Sequence, residues 1–148
     1  ADKKRKFTKE LRSKITKLGL NQNITIIGHR KDIREIMSIS KIVFSLSREP
    51  EAFGRVSLES LSIGSPVIAY SHGGVKEQLT KILPNGLIKV GSINDAIRLA
   101  TKWIKEPPKI KQNNFFTLEK MLKKTLDLYN KMIKEKYQNL HDKKININ

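Results

Sequence analysis

The chain has 148 residues, enough for one domain with a real core and too few for two ordinary ones. With 38% hydrophobic and 30% charged residues it reads as a soluble globular protein, and no apolar run approaches the ~18 residues of a membrane span. The absence of cysteine excludes disulfides and thiolate chemistry.

A net charge of +16 suggests a nucleic-acid partner until it is mapped. Residues 1–23 hold eight bases against two acids, residues 24–90 nine against six, and residues 91–148 thirteen against six. The excess therefore lies on the flanks. Twenty-three of the thirty bases are Lys, without interleaved aromatics or Arg forks, which argues against base readout. No specific nucleic-acid partner is expected, while peripheral contact with anionic lipid headgroups stays open. ADKKRKFTKE shows no secretory leader, so the expected compartment is the cytoplasm or the inner face of its membrane.

In chain order, Phe7, Leu11, Ile15 and Leu18 make one apolar stripe of a helix that stops at Gly19. Ile24–Ile27 reads as a first buried strand ending at Gly28, and Asp32 as the cap of a short helix to Ile39. KIVFSL, Lys41–Leu46, is a second strand followed by the polar loop SREPEAF. Gly54–Ile63 is helical in pattern, with Gly64 at the usual closing position. Pro66–Tyr70 is a third strand, and SHGG leads into a helix from Val75 to about Lys81. A fourth strand lies around Leu87–Val90, and Ser92 caps a helix ended by Pro107 and Pro108. Trp103 on that helix is read as core. A last helix over Phe115–Tyr137 carries Leu118, Leu122, Leu126, Tyr129, Ile133 and Tyr137 on one stripe, which should pack on the sheet or on another domain.

Short apolar strands alternating with helices predict an α/β, Rossmann-like parallel sheet with flanking helices and about four strands. Residues 1–140 are expected to form that domain and residues 141–148 a flexible tail. A doubly wound domain has more strands and does not begin on a helix. The front of the domain is therefore expected to be missing, and the opening Ala suggests a processed or trimmed chain.

Ligands of such sheets sit outside the C-terminal strand ends. Two loops there carry chemistry, GHRKD and SREPEAFG. The second runs into a helix whose free N–H groups make an anion site, with Gly54 allowing close approach to the backbone. Glu51 precedes that helix and Glu59 lies inside it. Eight helical steps separate them by about 12 Å and about 80°, so that two carboxylates face one elongated ligand bearing hydroxyl pairs. The competing reading makes them surface salt-bridge partners. His29 and His72 are each isolated in a loop and read as structural or solvated. Arg48 and Arg55 suit either a phosphate or an ion pair.

EAFGRVSLESLSIGSPVIAYSHGGVKEQL resembles the E-x7-E region of GT-B glycosyltransferases in the retaining family 4, the glycosyl transferases group 1. The likeness extends over roughly Leu11 to Tyr137 and is carried by F-G inside the motif and by G-S-P-V and G-G at matching distances after it. It implies that this is the donor-binding, C-terminal part of such an enzyme, handling a nucleotide diphosphate sugar as substrate and needing no cofactor or metal. Glu51 would contact donor-sugar hydroxyls as the catalytic residue, and Glu59 the ribose. The amides of Phe53, Gly54 and Arg55 would face sugar and phosphate, and Gly28, His29 and Arg30 would meet the base. Retaining hexosyl transfer by front-face attack, in polysaccharide or lipopolysaccharide synthesis, would follow. The family's diphosphate-neutralising Arg and Lys and its acceptor domain have no counterpart here, so that domain is an expected partner, in cis or as a separate chain. The fragment alone is expected to be inactive. Three alternatives stay open: a non-catalytic remnant or split subunit; a basic protein that binds nucleic acid or a membrane surface; and an epimerase or phosphorylase of the same fold.

Overall fold

The structure, a computed structural model, describes residues 2–145, with side chains for residues 6–136 and 138. The chain divides into two compact units, one ending at Ile33 and one beginning at Arg34.

In the first unit, α1 (Asp2–Lys17) stops at Gly19, whose φ of 67° few other residues adopt. Gly19 N donates to Thr16 O and Leu20 N to Ile15 O, each at 3.0 Å, the paired bonds that close a helix on a left-handed glycine. Of the expected stripe only Ile15 is buried, while Phe7, Leu11 and Leu18 are exposed. Ile24–Ile27, expected as the first strand, joins no ladder among the described residues. That expectation is corrected, because an apolar run becomes a strand only when a neighbour takes its N–H and C=O groups. Ile24 and Ile27 are exposed as well.

The second unit holds α2 (Ile33–Ile39) from Arg34 onward, β1 (Val43–Ser45), α3 (Arg55–Ser62) and β2 (Val67–Tyr70). It continues with α4 (Gly73–Ile82), a 3-10 turn (Pro84–Gly86), β3 (Leu87–Ile88), α5 (Ile93–Lys105) and α6 (Leu118–Ile145). The sheet has three parallel strands in the order β1-β2-β3, each shorter than its sequence pattern predicts. Val43 pairs with Val67, and Tyr70 with Ile88.

All four residues of β2 are buried, as a middle strand covered on both faces requires. Val67, Ile68, Ala69 and Tyr70 join Leu79, Ile82, Leu83, Ala96 and Trp103 in one core. Trp103, 3% exposed, is a core residue. β1 is an edge strand, and its Phe44 is exposed accordingly. At the end of α3, Gly64 (φ 86°) repeats the Gly19 closure: Gly64 N donates to Leu61 O and Ser65 N to Ser60 O. Ser92 Oγ accepts from Asp95 N at the start of α5 and donates to the Asp95 carboxylate at 2.6 Å. These bonds and Arg98 hold the Asp95 carboxyl below the usual carboxylate range, Ser92 contributing most.

Among the described residues, Leu118, Leu122, Leu126, Tyr129 and Ile133 of α6 are all exposed, so this stripe does not pack on the sheet. The side chain of Tyr137 lies outside those described. The helix runs on through Ile145, into the segment expected as a tail, and residues 146–148 lie outside the described residues. No helix among the described residues is long and apolar enough to cross a membrane.

Candidate functional site

Parallel pairing sends the C-terminal ends of β1, β2 and β3 to one edge of the sheet. The loop from Leu46 to Gly54 leaves that edge after β1 and enters α3; Ser71 and His72 leave it after β2 and enter α4. The starts of α3 and α4 thus both lie at the strand ends where α/β sheets hold ligands. Neither start has a side-chain cap or an acid in its first turn. The start of α5, by contrast, is satisfied by its own Ser92 and Asp95.

Gly54 sits directly before α3 with φ 81°. A side chain there would also collide with Val75 of α4, so two independent constraints call for glycine. Because Gly54 is left-handed and α3 begins at Arg55, Glu51 lies off the helix. The helical estimate of distance and rotation between Glu51 and Glu59 is corrected on that ground: only the steps from Arg55 to Glu59 are helical.

The loop is held along its length by α4. Gly74 N donates to Glu51 O at 2.8 Å, and the His72 ring Nε2 donates to Ser47 O at 2.9 Å. The Gln78 side-chain amide donates to Phe53 O. A Cβ on Gly73 would come 2.5 Å from Glu51 O, and one on Gly74 would come 2.7 Å from Phe53 Cα. Both glycines are therefore contact surfaces. The N–H groups of Phe53, Gly54 and Arg55 donate to no acceptor among the described residues. They are donors left open among the described residues, at the mouth of a helix dipole.

Glu51 is half-buried, its side chain in no ion pair among the described residues. Glu59, also half-buried, is met by Arg55 one turn earlier, Nε at 3.2 Å and Nη2 at 3.0 Å, both on Oε1. The salt-bridge alternative is thus realised for Glu59, with a partner from inside the motif, while Oε2 accepts nothing among the described residues. The Phe53 ring packs edge-on to Phe116, centroids 6.3 Å apart.

Gly28, His29 and Arg30 belong to the first unit. Gly28 has φ 66° and His29 is exposed. Arg30 forks onto both oxygens of Asp32, at 2.7 and 2.5 Å. That bond raises the guanidinium's already high pKa and holds the Asp32 carboxyl below its ordinary range.

Sequence reasoning missed Gln78 and gave Gly73, Gly74 and His72 no loop-holding role. Gly74, Val75, Leu79 and Ile82 form the buried face of α4, and Gln78 falls on that face. A polar residue at a core position was the available signal.

Fold and site together define a Rossmann-like α/β unit of the GT-B glycosyltransferase type. Over residues 4–138 the chain matches the family described as glycosyl transferases group 1, and it belongs to that family. No curated protein matches it. Among solved structures it is similar to Anabaena Alr3699/HepE in complex with UDP-glucose, at 33% identity and a TM-score of 0.62. The same protein with UDP gives 32% and 0.63, and with UDP and glucose 31% and 0.64. Each match covers 69% of this chain and 28% of the HepE chain.

Proposed function

We propose that the second unit binds the nucleoside diphosphate sugar donor of a glycosyltransferase, with a uridine nucleotide as the first candidate. The reading is carried by the three unengaged amides of Phe53, Gly54 and Arg55 on a loop held against α4. Those amides receive sugar and phosphate oxygens. Glu51 takes donor-sugar hydroxyls at the reacting end, and Glu59 takes the ribose hydroxyls through Oε2. Transfer of a hexosyl group proceeds with retention and without a metal ion, and it requires an acceptor-binding domain, in cis or as a separate chain. The UDP and UDP-glucose bound by HepE support the choice of nucleotide. Calorimetric titration of the chain with UDP, UDP-glucose, GDP and ADP tests this reading. Weak binding of UDP, unchanged by EDTA and without sugar transfer by the chain alone, is expected; no binding of any of the four overturns it.

A second reading is contact with an anionic membrane surface, favoured by the exposed apolar stripe of α6 within the basic C-terminal flank. Cosedimentation with phosphatidylglycerol vesicles, absent with phosphatidylcholine, is its expected signature.

A further inference from the structure

We propose that Gln78 is a positioning residue that aims the Gly54 amide at the donor phosphates, an inference that rests on the reading of the site just given. Gln78 is fully buried in the interior of α4, between Gly74 and Val75 on one side and Leu79 and Ile82 on the other. An apolar residue of the same length would fit this face with no unpaired polar atom. The Oε1 of Gln78 has no partner among the described residues, so the amide carries an uncompensated desolvation cost. Its Nε2 reaches 25 residues back in the chain to the Phe53 carbonyl.

The consequence follows from peptide geometry. The Phe53 carbonyl and the Gly54 N–H belong to one planar trans peptide, so they point in opposite directions. Holding the carbonyl toward α4 turns the Gly54 N–H away from α4, where among the described residues it donates to nothing. Glycine at 54 leaves this peptide freer to rotate than any other in the loop would be, and so more in need of a tether. The other ties on the loop end at Ser47 O and Glu51 O. Of the ties from α4, the Gln78 tether is the one that acts on a peptide bearing a proposed phosphate donor, the Gly54 N–H, while the next peptide is held from within α3 by Leu58 N on Gly54 O. A misaimed donor costs binding without costing fold, because the loop keeps its contacts with Gly73, Gly74 and Val75.

The test compares wild type with Gln78→Met, which keeps length and apolar fit and removes the donor. Melting at or above the wild-type midpoint with about tenfold weaker UDP binding by calorimetry is expected, together with a shifted Gly54 amide resonance in the ligand-free chain. A purely structural Gln78 would lower the midpoint and the affinity together, and that result overturns the proposal. Wild-type binding of UDP with equal affinity in Gln78→Met overturns it too, while leaving the donor-site reading intact. Failure of wild type to bind UDP, UDP-glucose, GDP or ADP removes that reading and this inference with it. Should Gln78→Met not fold, exchange of the Gln78 side-chain amide protons in wild type decides. Slow exchange supports the tether, and exchange as fast as that of an exposed glutamine refutes it.

Discussion

Arg55 and Glu59 meet across one turn of α3, with both guanidinium contacts on a single carboxylate oxygen, Oε1. The ion pair and the proposed ribose contact therefore do not exclude each other, since hydroxyls can use Oε2. The Arg55 side chain is 84% exposed, so the pair itself stabilises the fold little, on the order of 0.3–0.5 kcal/mol for an i,i+4 pair.

Glu59→Ala is expected to weaken UDP binding by about ten- to a hundredfold, the loss of a charged hydrogen-bond pair worth about 1.5–3 kcal/mol. Arg55→Ala should leave the thermal midpoint almost unchanged. Calorimetry and thermal melts on both variants check this. Equal affinity in wild type and Glu59→Ala would leave Glu59 as a surface ion-pair partner only.

Gly54→Ala should destabilise the chain by more than about 2 kcal/mol, combining left-handed strain with the collision at Val75. Adding Val75→Ala should recover part of the loss and not all of it, because the collision is relieved while φ 81° remains. Urea unfolding of the two single variants and the double variant measures the coupling.

Ser92→Ala should cost about 1 kcal/mol, the usual value of a lost N-cap. It also removes the main cause of the lowered Asp95 pKa. A depressed folded pKa stabilises above the unfolded Asp value of ~3.9, and that contribution disappears as pH falls through the lower folded value. Wild type should therefore lose stability in this acid window, and Ser92→Ala should lose less of it. Thermal melts from pH 6 down to about pH 2 compare the two slopes.

Because the basic excess lies on the flanks, any DNA binding should be weak, indifferent to sequence and steeply reduced by salt. Competition between unrelated duplexes at rising salt checks this. A sequence preference that survived physiological ionic strength would contradict it.

Some of this protein could be read from the chain alone because the signals are local. The Gly64 closure of α3 and the Ser92 cap involve partners within five residues, and the apolar runs of β1, β2 and β3 identify themselves by composition. The motif placed Glu51, Gly54 and Glu59 on one loop and helix for the same reason. Tertiary structure decided the rest. Ile24–Ile27 has strand composition and joins no ladder among the described residues, because composition does not supply a pairing partner. The helical spacing expected between Glu51 and Glu59 does not hold, because one left-handed residue at 54 redirects the chain ahead of α3. Gln78 holds the Phe53 carbonyl, and Val75 closes against Gly54, across 25 and 21 intervening steps of chain that become neighbours only when α4 packs beside the β1 loop. Periodicity marks which face of a helix is buried; only packing determines what that face touches.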